Sequence, residues 1–139
     1  MSSNISEQLD ELSCDLMGAA LDALADGMDI SVLLSYENEN GERLTETFND
    51  DSMIACLDAA HDYLKNSKSK KDKPVRYAIC YLGSIAEVED EYEPALITEF
   101  GEKGAQCAFS AYSYVQGIGE GEAFMWSEPA AAGELELLI

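Results

Sequence analysis

Four side chains of this sequence are of the types that move protons, provided that the fold brings them together. They are the single histidine, one carboxylate and two phenols: His61, Glu99, Tyr77 and Tyr81. In a pocket that excludes water, such groups exchange protons with a bound molecule. His61, however, falls on the apolar face of a predicted helix, where a lone histidine more often packs with one nitrogen satisfied. The sequence therefore predicts a candidate pocket, but the spacing of these four residues does not indicate any particular reaction.

Metal-binding patterns are absent from the sequence. The four cysteines are Cys14, Cys56, Cys80 and Cys107, and no two of them have the short spacing that is typical of a zinc site. The acid-rich turn at residues 38–42 lacks suitable ligands at the first and last positions of a calcium loop. A thiol paired with His61 stays open, because such pairs meet in space. We expect no metal or other cofactor, and no assigned catalytic residue.

Two glycine-rich segments, residues 101–104 and 117–121, have the composition of phosphate-binding loops. Such loops bring bare backbone N–H groups close to an anion and are usually followed by a lysine. Glu120 and Glu122 would repel a phosphate, and no lysine follows them. We interpret residues 117–122 as a flexible connection between two strands.

The apolar pattern predicts an α+β fold in the order helix, two strands, helix and about four strands. A capping box at Asn4 begins the first helix and Gly27 ends it. Strands are predicted at residues 30–36, 42–48, 75–88, 95–101, 105–115 and 123–127. We expect one antiparallel sheet with both helices on one of its faces. Residues 1–139 form a single domain, with a mobile basic loop at 65–73 and a tail at 128–139 whose structure the pattern leaves open.

The surface of the first helix is apolar over more than half of its circumference, which one sheet face does not cover. A second band lies beside the core-facing one, and aromatic side chains add to it in the later strands. The resulting candidate interface consists of Met17, Leu21, Leu24, Met28, Tyr112, Tyr114 and Trp126. Large exposed apolar patches mark interfaces with other proteins, so we expect a homodimer. Partial burial of several tyrosines in the core is the alternative.

The charge of the chain is strongly negative, with a formal net charge of −20. Such a surface repels nucleic acid and anionic membranes, and it favours a basic partner protein. Six of the eight cations lie between Lys65 and Arg76. They form either a tether for acidic groups, on a partner or on the protein itself, or a solvated loop. Without an apolar signal segment or membrane span, we expect a soluble cytoplasmic protein.

These features favour a small acidic interaction module over an enzyme. In size, acidity and element order the chain is similar to acidic dimeric secretion chaperones and to small immunity proteins, which is an analogy of fold and composition. The alternative is a small-molecule-binding or enzymatic domain that uses the Tyr/Glu-lined pocket. A further alternative is a nucleic-acid mimic, which would use the acidic stripe Glu7, Glu11, Asp15, Asp22 and Asp26.

Overall fold

The computed structural model describes residues 6–28, 30–48, 52–66, 73–88 and 91–139. Its elements are α1 (Glu7–Ala25), β1 (Val32–Asn38), β2 (Arg43–Phe48), α2 (Met53–Lys65), β3 (Pro74–Val88), β4 (Glu91–Glu102), β5 (Ala108–Gln116), β6 (Met125–Trp126) and β7 (Ala130–Leu135). The predicted α+β class and the predicted element order are confirmed. Most of the predicted basic loop, residues 67–72, lies outside the described residues.

One antiparallel sheet contains all seven strands, in the order β2-β1-β3-β4-β5-β6, and β7 also pairs with β5. The predicted meander accounts for β3, β4 and β5. The tail, whose structure the sequence pattern left open, supplies β7 and then returns to the core, where Leu138 is buried. The hairpin β1–β2 reaches the meander through α2.

The two helices lie on opposite faces of the sheet, which corrects the expected arrangement on one face. Along β3, Tyr77 and Ile79 pack in a cluster with side chains of α2, whereas Ala78 and Cys80 pack in a second cluster with side chains of α1. Successive side chains of a strand point to opposite faces, so each cluster occupies its own face. We call these faces the α1 face and the α2 face.

The first helix begins later than the capping box predicts. Ser6 is the N-cap residue, and its hydroxyl accepts a hydrogen bond of 3.1 Å from the backbone N–H of Leu9. The predicted cap, Asn4, lies outside the described residues. A serine oxygen satisfies the free N–H groups of a first helical turn as well as an asparagine oxygen does, so the two candidate caps compete on equal terms.

The glycine-rich loop at residues 117–122 caps the end of α1, which corrects its interpretation as a flexible connection. The carbonyl oxygen of Leu24 accepts hydrogen bonds from the backbone N–H of Gly27 at 3.0 Å and from that of Gly119 at 2.9 Å. Gly27 has φ of +77°, and a Cβ atom on it would lie 3.2 Å from Cα of Gly119. The absence of side chains at both positions therefore lets the loop reach the helix end.

We expect Gly27→Ala to destabilise the protein more than Gly41→Ala does. Both positions have positive φ, +77° and +80°, but the space around Gly41 is open within 4 Å. The backbone strain of about 1–2 kcal/mol is common to both variants, and only Gly27→Ala adds the contact with Gly119. Urea unfolding of the two variants measures the difference. Equal losses would show that the loop does not hold the helix end.

A network of ion pairs ties α1 to four strands on the α1 face. Arg76 on β3 binds Glu37 on β1 at 2.8 Å and Glu102 on β4 at 3.0 Å. Arg43 on β2 also binds Glu37, at 2.9 Å, and it binds Asp15 of α1 at 2.7 Å. One of the six clustered cations thus neutralises the protein's own carboxylates. Asp15, a member of the acidic stripe, is likewise paired.

Candidate functional site

Three of the four side chains of the predicted pocket meet on the α2 face. Nε2 of His61, on α2, lies 2.8 Å from Oε1 of Glu99 on β4. The hydroxyl of Tyr81, on β3, donates a hydrogen bond of 2.7 Å to Oε2 of the same carboxylate. His61 lies on the side of α2 that faces the sheet, and the β3–β4 pairing places Glu99 next to Ile79 and Tyr81 next to Ile97. The helix thus positions His61 and the sheet positions Tyr81, so that each forms a hydrogen bond with one oxygen of Glu99.

Glu99 is a buried carboxylate, only 8% exposed. Burial raises the pKa of Glu99, but the hydrogen bonds from His61 and Tyr81 outweigh that effect and hold the pKa below its usual value. Burial, and then the hydrogen bond to Glu99 and the charge of that carboxylate, raise the pKa of Tyr81. Among the described residues, His61 is the one basic side chain that pairs with Glu99. The site therefore holds the negative charge of Glu99 next to a histidine, and that histidine is positively charged only when it is protonated.

Tyr77, the fourth predicted member, lies outside this cluster. It is 1% exposed and packs in the core with Leu138 and the residues of α2. Burial raises the pKa of Tyr77 to about 12, although a hydrogen bond with the backbone of Leu138 opposes the shift. Tyr77 shares a sheet face with Tyr81, so strand alternation alone groups them. Ile79 stands between them on β3, and Tyr77 bonds to the tail at Leu138 while Tyr81 bonds to Glu99.

A row of half-buried side chains continues from Tyr81 across the sheet. Tyr81 on β3 is paired with Ile97 on β4, which is paired with Tyr112 on β5. All three are half-buried. Ser110, beside Glu99 in the next row, is half-buried too. The sequence pattern did not single out Ile97 or Ser110, since only the register between strands places them at the site.

At the edge of the sheet, an apolar groove of about 600 Å³ lies between β4, β5 and β6. Its lining includes Pro94, Tyr114, Met125 and Trp126. Met125 is 64% exposed and Trp126 is 53% exposed, on a strand of two residues. The ring of Tyr114 meets that of Tyr112 edge-on, with centroids 5.3 Å apart. Through this ring contact, the groove is continuous with the half-buried row of Tyr81, Ile97 and Tyr112.

The candidate interface residues of the first helix have mixed positions. Leu24 is 2% exposed and belongs to the core of the α1 face. Met17 and Leu21 are partly buried against the same core, beside Phe124. Met28, just beyond the helix, is exposed. The surface that α1 offers to a partner is thus smaller than the sequence predicts, because the chain after the glycine-rich loop covers part of it.

Two of the four cysteines are packed in the core of the protein. The Cys80 sulfur lies 3.2 Å from Oγ1 of Thr98 in the core, and Cys56 is also buried. Within residues 6–28, 30–48, 52–66, 73–88 and 91–139, no three His, Cys, Asp or Glu side chains are arranged to hold a metal ion. No helix in this part of the chain is long and apolar enough to cross a membrane.

The arrangement can therefore hold a cation beside Glu99 and receive apolar groups in the groove. Comparison with known proteins adds no name to these sites: no protein-family model, no curated protein and no solved structure matches the chain.

Proposed function

We propose that this protein is an acidic interaction module, and that it binds a basic partner protein along the groove at the edge of its sheet. The observation that carries this proposal is the exposure of Met125 and Trp126, which are consecutive residues of the edge strand β6, in a groove that Tyr114 also lines. Trp, Tyr and Met are enriched at protein interfaces, and a few such residues provide most of the binding energy.

The distribution of exposed apolar side chains supports this location. Six large apolar residues are exposed in the described part of the chain, and four of them lie between residues 118 and 135. That segment also carries the exposed carboxylates of Glu120, Glu122 and Glu128. Apolar groups inside an acidic rim favour a partner that combines basic and apolar side chains, because complementary charge speeds encounter and rejects acidic proteins.

A library of displayed peptides tests the proposal. We expect selection against the whole protein to enrich peptides with Lys or Arg next to aromatic or aliphatic residues. Trp126→Ala should weaken their binding by about tenfold or more, as is typical for a central interface residue. Ile54→Ala is the matched control, because Ile54 is 74% exposed and lies on α2, away from the groove.

The outcome that contradicts the proposal is a set of binders that tolerate Trp126→Ala, or no binders at all. Sedimentation at several protein concentrations tests the expected homodimer in the same groove. A dimer that Trp126→Ala dissociates would identify a second copy of the chain as the partner. Higher salt should weaken binding of a basic peptide, since it screens the charges.

The second candidate function is a small-molecule site at Glu99. It is favoured by one observation, the convergence of His61 and Tyr81 on the two oxygens of that buried carboxylate. Oriented acid and phenol groups of this kind carry out proton transfer when a substrate lies within hydrogen-bond reach.

A further inference from the structure

We propose that the row Tyr81, Ile97 and Tyr112, together with Glu99, forms a cage for an ammonium or guanidinium group. This cage rests on the proposed function, since it would take the Lys or Arg side chain by which the basic partner is anchored. It also predicts binding of small cations on their own.

The register of the sheet gives the cage its width. Tyr81 and Tyr112 stand in one row on strands that are both neighbours of β4, so about 10 Å separates the two positions across the sheet. A cation between the rings is within about 6 Å of each, which is the range of cation–π attraction. Ile97 forms the floor between them. Its Cδ1 atom lies 2.6 Å from the place where a Cβ of Gly83 would be, so its side chain leans towards β3.

Glu99 provides the charge of the cage. Each of its oxygens accepts one hydrogen bond within the chain, from His61 and from Tyr81. Because a carboxylate oxygen has two lone pairs, each oxygen retains one acceptor position. No Lys or Arg of the described residues pairs with this buried carboxylate. An ammonium or guanidinium group from another molecule would give Glu99 a permanently charged partner in addition to His61.

The cage is also joined to the groove. Tyr112 forms one wall of the cage and contacts Tyr114, which lines the groove beside Met125 and Trp126. Met125 is paired with Gln116 and so lies on the same face as Tyr112 and Tyr114, whereas Trp126 is paired with Val115 and lies towards the α1 face. One extended segment of a partner along the α2 face therefore reaches the cage with a basic side chain and the side of the groove at Tyr114 and Met125 with an apolar side chain. This order of contacts distinguishes the surface from a uniformly acidic one, on which basic groups bind without a fixed position.

Titration of the whole ¹⁵N-labelled protein tests the cage, with Nα-acetyl-lysine methylamide and Nα-acetyl-arginine methylamide as probes. We expect amide shifts centred on residues 97–99 and 110–112, and none with the Nε-acetylated lysine probe, in which a neutral amide replaces the ammonium group. Glu99→Gln should weaken binding about tenfold. Tyr112→Leu should weaken it similarly, whereas Tyr112→Phe retains the ring and most of the affinity.

Gly83→Ala provides a variant that alters neither charge nor rings. The new methyl group would displace Ile97 towards Tyr112 and narrow the cage, so we expect weaker binding of both probes. Equal shifts with charged and acetylated probes, or unchanged binding in Glu99→Gln, would overturn the inference. Selected peptides that need Trp126 but tolerate Glu99→Gln would leave the groove as the binding site and remove the cage. If the probes bind in the cage but no selected peptide depends on Trp126, the cage is retained and the groove is removed as the binding site.

Discussion

Raising the pH from 9 to 12 is expected to lower the free energy of unfolding by about 7 kcal/mol, enough to unfold a domain of ordinary stability. Two core residues account for this loss, and Tyr81, whose pKa is also raised by burial and by Glu99, adds to it above pH 10. Burial raises the pKa of Cys80 from 9.0 to about 12 and the pKa of Tyr77 from 10.0 to about 12. Both side chains are almost completely buried, at 0% and 1% exposure, so solvent does not screen the effect.

The sign follows from proton binding in the two states. Between the ordinary pKa and the raised one, the unfolded chain has lost the proton and the folded chain retains it, so higher pH favours unfolding. The stabilising contribution is complete below pH 9 and is lost as pH approaches 12. Each group contributes a slope of about 1.4 kcal/mol per pH unit within its interval.

Urea unfolding at a series of pH values measures this dependence. Cys80→Ala should remove one group from the slope above pH 9, and Tyr77→Phe should remove one above pH 10. Cys14→Ala is the comparison variant for an exposed thiol. Partial burial and Asp10 also raise the pKa of Cys14, but we expect Cys14→Ala to change the slope above pH 9 less than Cys80→Ala does. If Cys80→Ala and Tyr77→Phe leave the slope unchanged, the two groups are accessible to solvent in the folded protein.

Replacing Arg76 by methionine is expected to cost about 3 kcal/mol of stability. Arg76 lies between Glu37 and Glu102, and its side chain is 19% exposed. Methionine keeps much of the length but none of the charge, so the two carboxylates remain in place without their shared cation. Removing one partner of a largely buried ion pair costs more than the pair contributes, because the other charge stays desolvated.

The double variant Arg76→Met/Glu102→Gln separates charge from packing. Glu37 keeps its ion pair with Arg43 in the single variant, whereas Glu102 loses its pair with Arg76. The double variant removes the charge of Glu102 as well, and it should recover part of the lost stability in urea unfolding. Ser6 donates a hydrogen bond to Glu102, and glutamine retains an oxygen that accepts it. A double variant that is less stable than Arg76→Met would show that Glu102 acts through Ser6 and α1 instead.

Much of the fold follows from local pattern, and the exceptions have physical causes. The alternation of apolar residues located β3, β4 and β5, and Asn40-Gly41 located the first hairpin. The face on which each helix packs depends on where the chain crosses the sheet after β2, and no local pattern encodes that. The role of the loop around Gly119 was missed for a similar reason, since its partner is a carbonyl in a distant helix.

The candidate site was predictable in its chemistry and not in its extent. Residue type and predicted strand position were enough to group His61, Tyr81 and Glu99, because a histidine, a phenol and a carboxylate are side chains that exchange protons with a bound molecule. The same reasoning included Tyr77, which the tail encloses. Ile97 and Ser110 entered only through strand register, which is fixed by tertiary packing and turn geometry.

The course of the chain through the sheet has a consequence for the rate of folding. Strand β3 joins its neighbour β4 through a short connection, but it joins β1 only after the chain has passed through β2 and α2. Closing the longer loop costs more entropy before any contact repays it. The C-terminal half should therefore acquire protected amides first in pulse-labelled hydrogen exchange, with the N-terminal hairpin and both helices joining this scaffold afterwards.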